Sequence, residues 1–209
     1  MAFGTEISCM RPGVDFKTFP DPTEDLHVAN DSEPQTLVVA GGCFWCTEGV
    51  FETAPGVLDV VSGYMGGTEE SANYEAVCSG NTDHAEAIKI TYDPKVTSFG
   101  KLLKLFFAIA HDPTTKDRQG PDQGRQYRSA IFYSGNEQKR VAENYIRQLT
   151  EARIFRHPIV TTLEPRKAFY PAEQYHQDFV RANPMHPYVA QQALPKVQKA
   201  RTALGHPQG

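Results

Sequence analysis

Two thiols three residues apart, Cys43 and Cys46, enclose two aromatic residues in the run Gly42-Cys43-Phe44-Trp45-Cys46. A pair at this spacing can cycle between dithiol and disulfide or help to hold a metal. The residues ahead of it, Thr36-Leu37-Val38-Val39-Ala40, read as a short buried strand, and 43–54 reads as a helix stopped by Pro55-Gly56. Cys43 therefore falls on a strand-to-helix turn, where unpaired N–H groups and the positive end of the helix dipole favour a thiolate. Cys46 follows one helical turn later. Helical residues three apart face each other across about 5–6 Å between Cβ atoms, so a small adjustment brings the sulfurs within disulfide range. The layout is that of a working dithiol.

A lone cysteine is most often a buried structural residue, but a CxxC between strand and helix is not that case. Zinc needs four ligands, and no second CxxC or CxxH pair accompanies this one. Cys9 and Cys78 stand alone, and His84, His111, His157 and His176 lack ligand spacing, so each histidine is expected to serve as a structural hydrogen-bond partner and no metal is expected.

The chain has 209 residues, 40% of them hydrophobic, enough for one core. Residues 1–35 read as an N-terminal extension across the surface, anchored by Phe16, Phe19 and Leu26, and 36–209 as the catalytic domain. A net charge of −4 and an isoelectric point near 6.0 argue against a nucleic-acid partner, which needs a clustered basic face. Neither a basic, apolar leader nor an 18-residue apolar run is present, and four cysteines are too few for a secreted disulfide scaffold. The expectation is a soluble cytoplasmic protein with no membrane partner.

Positioning the dithiol takes a recognisable series of elements. After strand 36–40 and helix 43–54 come strand 57–64, a glycine-rich loop with a short helical piece, strand 84–92, and helix 98–110 capped by Thr97 or Ser98. A polar loop (111–126), strand 127–133, helix 136–152, strand 158–164 and helix 171–182 complete it, while 183–209 shows little periodicity. The first six elements run β-α-β-β-α-β, so the fold class expected is α+β, a ferredoxin-like split β-α-β sandwich with extra helices and long irregular termini. In strand 84–92 the period of two puts Glu86 in one row with Ile88, Ile90 and Tyr92. If that row faces the core, Glu86 is desolvated and can hold a proton near neutrality as a general acid; if not, it leans into water at a strand end. Loop 119–128 is long enough to line a site, and its Tyr127 would open the next strand.

These residues, taken in order, resemble the A-type peptide methionine sulfoxide reductases. The resemblance rests on Gly42-Cys43-Phe44-Trp45, Gly63-Tyr64-Met65-Gly66-Gly67, Tyr74-Glu75-Ala76-Val77-Cys78-Ser79-Gly80 and His84-Ala85-Glu86-Ala87. It continues through Tyr92-Asp93-Pro94, His111-Asp112-Pro113, Gln119-Gly120 with Asp122 and Gly124, Gln126-Tyr127-Arg128-Ser129-Ala130-Ile131 and Tyr175-His176-Gln177. It implies reduction of the S epimer of methionine sulfoxide, free or in oxidised proteins, with Cys43 as nucleophile. By motif, Glu86, Tyr74 and Tyr127 surround the sulfoxide oxygen, Phe44 and Trp45 receive the S-methyl group, and Asp122 has a supporting role. Tyr64, Gly66 and Gly67 shape the substrate loop. Many relatives supply a second thiol from the C-terminal tail, but no cysteine follows Cys78 here. Likeness to the Gly-Cys-Phe-Trp-Cys subgroup makes Cys46 the resolving thiol. The sulfenic acid on Cys43 would become a Cys43–Cys46 disulfide, recycled by thioredoxin, or by dithiothreitol in vitro. No cofactor beyond that reductant is implied, and a monomer is expected. Cys78 is expected to be a buried structural thiol and Cys9 to sit in the mobile extension.

Two other functions compete. A thioredoxin-like disulfide reductase also carries CxxC after a strand, but generally with Trp before the first Cys rather than between the two, and it leaves the Glu86 and Tyr127 blocks unexplained. A binding module without catalysis predicts that Cys43→Ser keeps full function.

Overall fold

The computed structural model describes residues 9–27 and 33–206. Strand β1 (Gln35–Gly41) is covered on both faces from Leu37 onward, which is why its apolar run is continuous rather than alternating. Helix α1 (Phe44–Phe51), strand β2 (Val57–Met65), helix α2 (Tyr74–Cys78), strand β3 (Ala85–Tyr92) and helix α3 (Phe99–Leu105) follow, α3 running on into a wide turn at Phe106–Ala110. Next come a small hairpin of β4 (Arg118–Gln119) and β5 (Asp122–Gln123), then β6 (Ser129–Tyr133), α4 (Gly135–Glu151), β7 (Thr162–Pro165), β8 (Phe169–Pro171), α5 (Phe179–Ala182) and α6 (Leu194–Ala203). Side-chain caps start two helices: Asn73 accepts from the Ala76 amide at 3.0 Å and Ser98 from the Lys101 amide at 3.3 Å.

The main sheet has six strands in the order β7-β6-β1-β3-β2-β8. β3 is antiparallel to both β1 and β2, so β1 and β2, joined through α1, run parallel with β3 between them. β6 is antiparallel to β1 and parallel to β7, making the sheet mixed and the fold α+β. Leu37, Val39, Ile88, Ile90 and Ile131 face the helices in the main core, whereas Val38, Ala40, Ala85, Ala87 and Phe132 belong to a smaller cluster on the other face. None of the helices among the described residues is long and apolar enough to cross a membrane.

Several elements differ from the sequence reading. Tyr127 does not open a strand; it closes a single turn, Arg125–Tyr127, in which its amide donates to the Gly124 carbonyl at 3.0 Å, and β6 begins at Ser129. The strand expected at 158–164 is shorter and later, Thr162–Pro165. In place of a helix over 171–182 there are the end of β8, one turn at Gln174–His176, and the short α5. The cause is tertiary: the Gln177 amide side chain bonds both the N–H and the C=O of Ser62 at 3.0 Å, acting as a surrogate strand, and Asp178 takes a left-handed φ of 53°. The tail that showed little pattern is helical, with Val189, Ala193, Val197 and Ala200 buried.

Cys9 is tied down rather than mobile, since its carbonyl accepts from the Arg156 amide at 2.9 Å beside a bridge between Met10 and Phe155. Phe19 is fully buried, the Tyr145 hydroxyl donates to the Pro20 carbonyl at 2.7 Å, and Lys104 pairs with Asp21 at 2.9 Å. Phe16 and Leu26 are half-buried.

Glu48 on α1 carries a cost. It is 1% exposed, and although Ser62 and Asp178 lie beside it, no aligned hydrogen bond reaches either carboxylate oxygen. Burial lifts its pKa from 4.5 to about 7. A folded pKa above the unfolded one means stability that is fully present below pH 4.5 and is lost as pH rises through about 7. Glu48→Gln is therefore expected to stabilise the protein at pH 8 by about 3 kcal/mol and to change little at pH 5. Urea unfolding at both pH values checks this; an equal effect at both would rule out the buried charge as the cause.

Candidate active site

The turn between β1 and α1 requires glycine at position 42. Its φ is 87°, and a Cβ there would lie 2.2 Å from the Gln119 side chain. The chain then places Cys43 at the N-cap of α1 and at the floor of a cavity of about 210 Å³. Phe44 and Trp45 from α1, Tyr74 from α2, Glu86 from β3, Asp122 from β5 and Tyr127 line the same cavity. Of the residues given catalytic or substrate-binding roles from sequence, Cys46 alone is not in this lining; it is 2% exposed. Both cysteines are free thiols.

Glu86 does face the core. It is 2% exposed, and its Oε2 accepts the Phe44 amide proton at 3.0 Å. Burial raises its pKa to about 8; the Phe44 bond opposes that shift and the Asp122 charge adds to it. At neutral pH it holds a proton. Tyr74 and Tyr127 are pushed above the ordinary phenol range, first by burial, then by the bond with Cys78 for Tyr74 and by Glu86 for Tyr127, so both remain O–H donors.

The enclosure of Cys43 works against the thiolate expected there. Burial raises this thiol well above the usual range, and the bond with Cys46 and the nearby Glu86 charge add to the effect. The first amide of α1, on Phe44, donates to Glu86 and so points to the carboxyl beside the sulfur. The partner moves the other way. Cys46 is lowered to about 7, chiefly by its hydrogen bond with Cys43, against the effect of burial and with help from Lys196.

The apolar wall is built in tiers. Trp45 stacks on Phe179 with ring centroids 3.8 Å apart and planes 7° apart, and its indole N–H donates to His176 Nδ1 at 3.1 Å. Burial keeps the His176 ring neutral, so it can accept. The Tyr74 ring lies 4.4 Å from His176, and its amide donates to Glu173 at 2.9 Å. Tyr64, expected to shape the substrate loop, is instead fully buried and donates its hydroxyl to the same Glu173 at 2.8 Å.

The family model for peptide methionine sulfoxide reductase matches residues 35–207. The chain belongs to that family. Peptide methionine sulfoxide reductase MsrA 2 of Synechocystis sp. is 54% identical over 187 residues, covering 88% of this chain and 87% of the relative. The MsrA of Thermus thermophilus is 52% identical over 170 residues, covering 81% and 95%. Among solved structures, the reduced form of Mxr1 from Saccharomyces cerevisiae superposes with a TM-score of 0.67 at 35% identity, covering 76% of this chain and 91% of that one. Methionine sulfoxide reductase A of Corynebacterium diphtheriae gives 0.61 at 32% identity, covering 83% and 86%.

The sequence reading of this reductase, an oxidoreductase, missed two residues that line the cavity, His186 and Tyr188. Both pack edge-on against Trp45, at 6.0 and 5.9 Å, and both come from the segment whose periodicity was unreadable. The aromatic residues themselves, so close together after Pro184, were the available signal. Cys78 is half-buried beside Tyr74 and Tyr127 rather than fully enclosed. His84 and His111 are hydrogen-bonded structural residues: His84 Nε2 meets the Thr68 carbonyl at 2.9 Å and His111 Nε2 the Ser129 hydroxyl at 2.7 Å. Burial lowers the pKa of His111 to about 3. His157 is exposed. No group of side chains suited to holding a metal ion occurs among the described residues.

Proposed function

We propose that this enzyme reduces the S epimer of methionine sulfoxide through a sulfenic acid on Cys43, and that Cys46 then forms the disulfide that thioredoxin reduces. The observation that carries this reading is that a thiol and a protonated carboxyl, Cys43 and Glu86, face one small cavity together. The sulfoxide methyl rests on Phe44 and Trp45, and Tyr74 and Tyr127 donate to the oxygen. Three directions are thus fixed around a stereogenic sulfur, so only one epimer presents methyl, oxygen and nucleophile correctly at once. Likeness to the A-type enzymes makes it the S form.

As the Cys43 sulfur attacks, the oxygen gains charge and Glu86 protonates it, the thiol proton returning to Glu86. Oxygen passes from substrate to Cys43; methionine leaves, and the cysteine becomes Cys–SOH. Cys46 then displaces that hydroxyl as water, forming the S–S bond. An external dithiol of the thioredoxin class restores both thiols, so no bound cofactor is needed. Asp122 supports the site from β5. The enzyme would act as a monomer in a reducing cytoplasm, on free methionine sulfoxide or oxidised proteins.

One equivalent of S-sulfoxide peptide without reductant is expected to yield one methionine peptide and one Cys43–Cys46 linkage per protein, read by mass spectrometry. Cys46→Ser is expected to release the same single equivalent but to stop at a sulfenic acid that dimedone traps. An intramolecular disulfide formed at an undiminished rate by that variant would remove Cys46 from the resolving role.

A further inference from the structure

We propose that Tyr188 is a catalytic residue of the second half of the cycle: its phenol, bonded to Asp122, carries the proton away from Cys46 as the disulfide forms. This rests on the reading above, in which Cys43 holds the sulfenic acid.

Cys46 is 2% exposed and outside the cavity lining, so its proton has no direct way to solvent. Besides the Cys43 sulfur with which it must react, the polar atom placed to meet its thiol is the Tyr188 hydroxyl oxygen, at 3.9 Å. Tyr188 has a single proton, and that proton goes to Asp122 Oδ2 at 2.5 Å. Its oxygen therefore presents lone pairs to Cys46, giving a directed chain from the Cys46 S–H to the Tyr188 O–H to the Asp122 carboxylate. The far end is suited to receive. Asp122 is half-buried, at the cavity wall, and burial raises its affinity for a proton while the Tyr188 bond opposes that. Lys196 is the charged group from α6 that acts on both Cys46 and Asp122, and Glu86 is the acid on the opposite side.

Packing fixes where this phenol stands. Its ring meets Trp45 edge-on, 5.9 Å away with planes at 77°. The next residue, Val189, is fully buried and begins the turn that leads into α6. The C-terminal segment thus delivers Tyr188 to the dithiol.

The step balances as Cys43–SOH plus Cys46–SH giving the disulfide and water. The S–S bond forms as the S–O bond breaks. Cys46 gives its proton to Tyr188 as Tyr188 passes its own to Asp122, and the departing hydroxyl takes the proton held by Glu86. Exchange with solvent then returns Asp122 and Glu86 to their starting states. The Cys46 sulfur is oxidised and the Cys43 sulfur reduced by the same amount, so no outside oxidant enters.

Single-turnover kinetics with S-sulfoxide peptide separates methionine release from loss of free thiols. Tyr188→Phe keeps the ring and loses only the hydroxyl. It is expected to slow disulfide formation at least about tenfold more than it slows methionine release, with trappable sulfenic acid accumulating between the steps. Asp122→Asn is expected to slow the same step, and the double variant to be no slower than the worse single one, because both interrupt one chain. Equal slowing of the two steps in Tyr188→Phe, slowing of neither, or additive losses in the double variant would overturn the proposal. Absence of a sulfenic acid stage in the unaltered enzyme would instead defeat the parent reading.

Discussion

The Cys43→Ser enzyme is expected to release no methionine above background, a loss of about four orders of magnitude or more in single-turnover rate. A hydroxyl in that place is neither polarisable enough to attack a sulfoxide sulfur nor able to take up its oxygen. The assay is methionine formed per protein with dithiothreitol as reductant, so that thioredoxin recognition does not enter. Retained function in this variant would favour a module that binds without catalysis. The contrast with Cys46→Ser is the informative part, because two thiols one helical turn apart fail at different points: one before the first methionine and one after it.

The second large effect belongs to Glu86. Replacing it by Gln removes the proton that must reach the departing oxygen but keeps the shape and an oxygen able to accept the Phe44 amide. General acid catalysis is worth about 10²–10⁴-fold, and a loss of that size in methionine release is expected. The pH dependence carries the sign. On the proposed mechanism Glu86 acts as its acid, and with burial lifting its pKa to about 8 methionine release should be sustained below that value and fall as pH rises through it. The Gln variant should lack this alkaline fall. If the fall near pH 8 persists in Glu86→Gln, another group supplies the proton.

Much of the site was legible because local rules and the tertiary structure agree there. The period of two in β3 placed Glu86 with Ile88 and Ile90, and these do share a face in the core. The strand-to-helix turn placed Cys43 at a helix start, since Gly42 and the CxxC spacing leave few alternatives. What could not be read came from long-range contacts. Residues 171–182 have the composition of a helix, but Gln177 finds better partners on Ser62 than in its own helical ladder. The tail was opaque because its buried positions hold small residues, Ala193 and Ala200, among Gln, Lys and Pro, so its apolar stripe is too thin to stand out. The surroundings of Cys43 were hidden for a similar reason: its burial, and a carboxyl 42 positions beyond Phe44 that accepts that residue's amide proton, exist only in the folded chain.

The burial of Cys43 also bears on survival amid oxidants. A sulfur kept protonated and nearly enclosed offers peroxide little to react with, because it is the anion that peroxide attacks. The same atom shares its cavity with an acid and two phenols, Glu86, Tyr74 and Tyr127. A methionine sulfoxide reductase so built would stay quiescent when idle and be engaged by its own substrate.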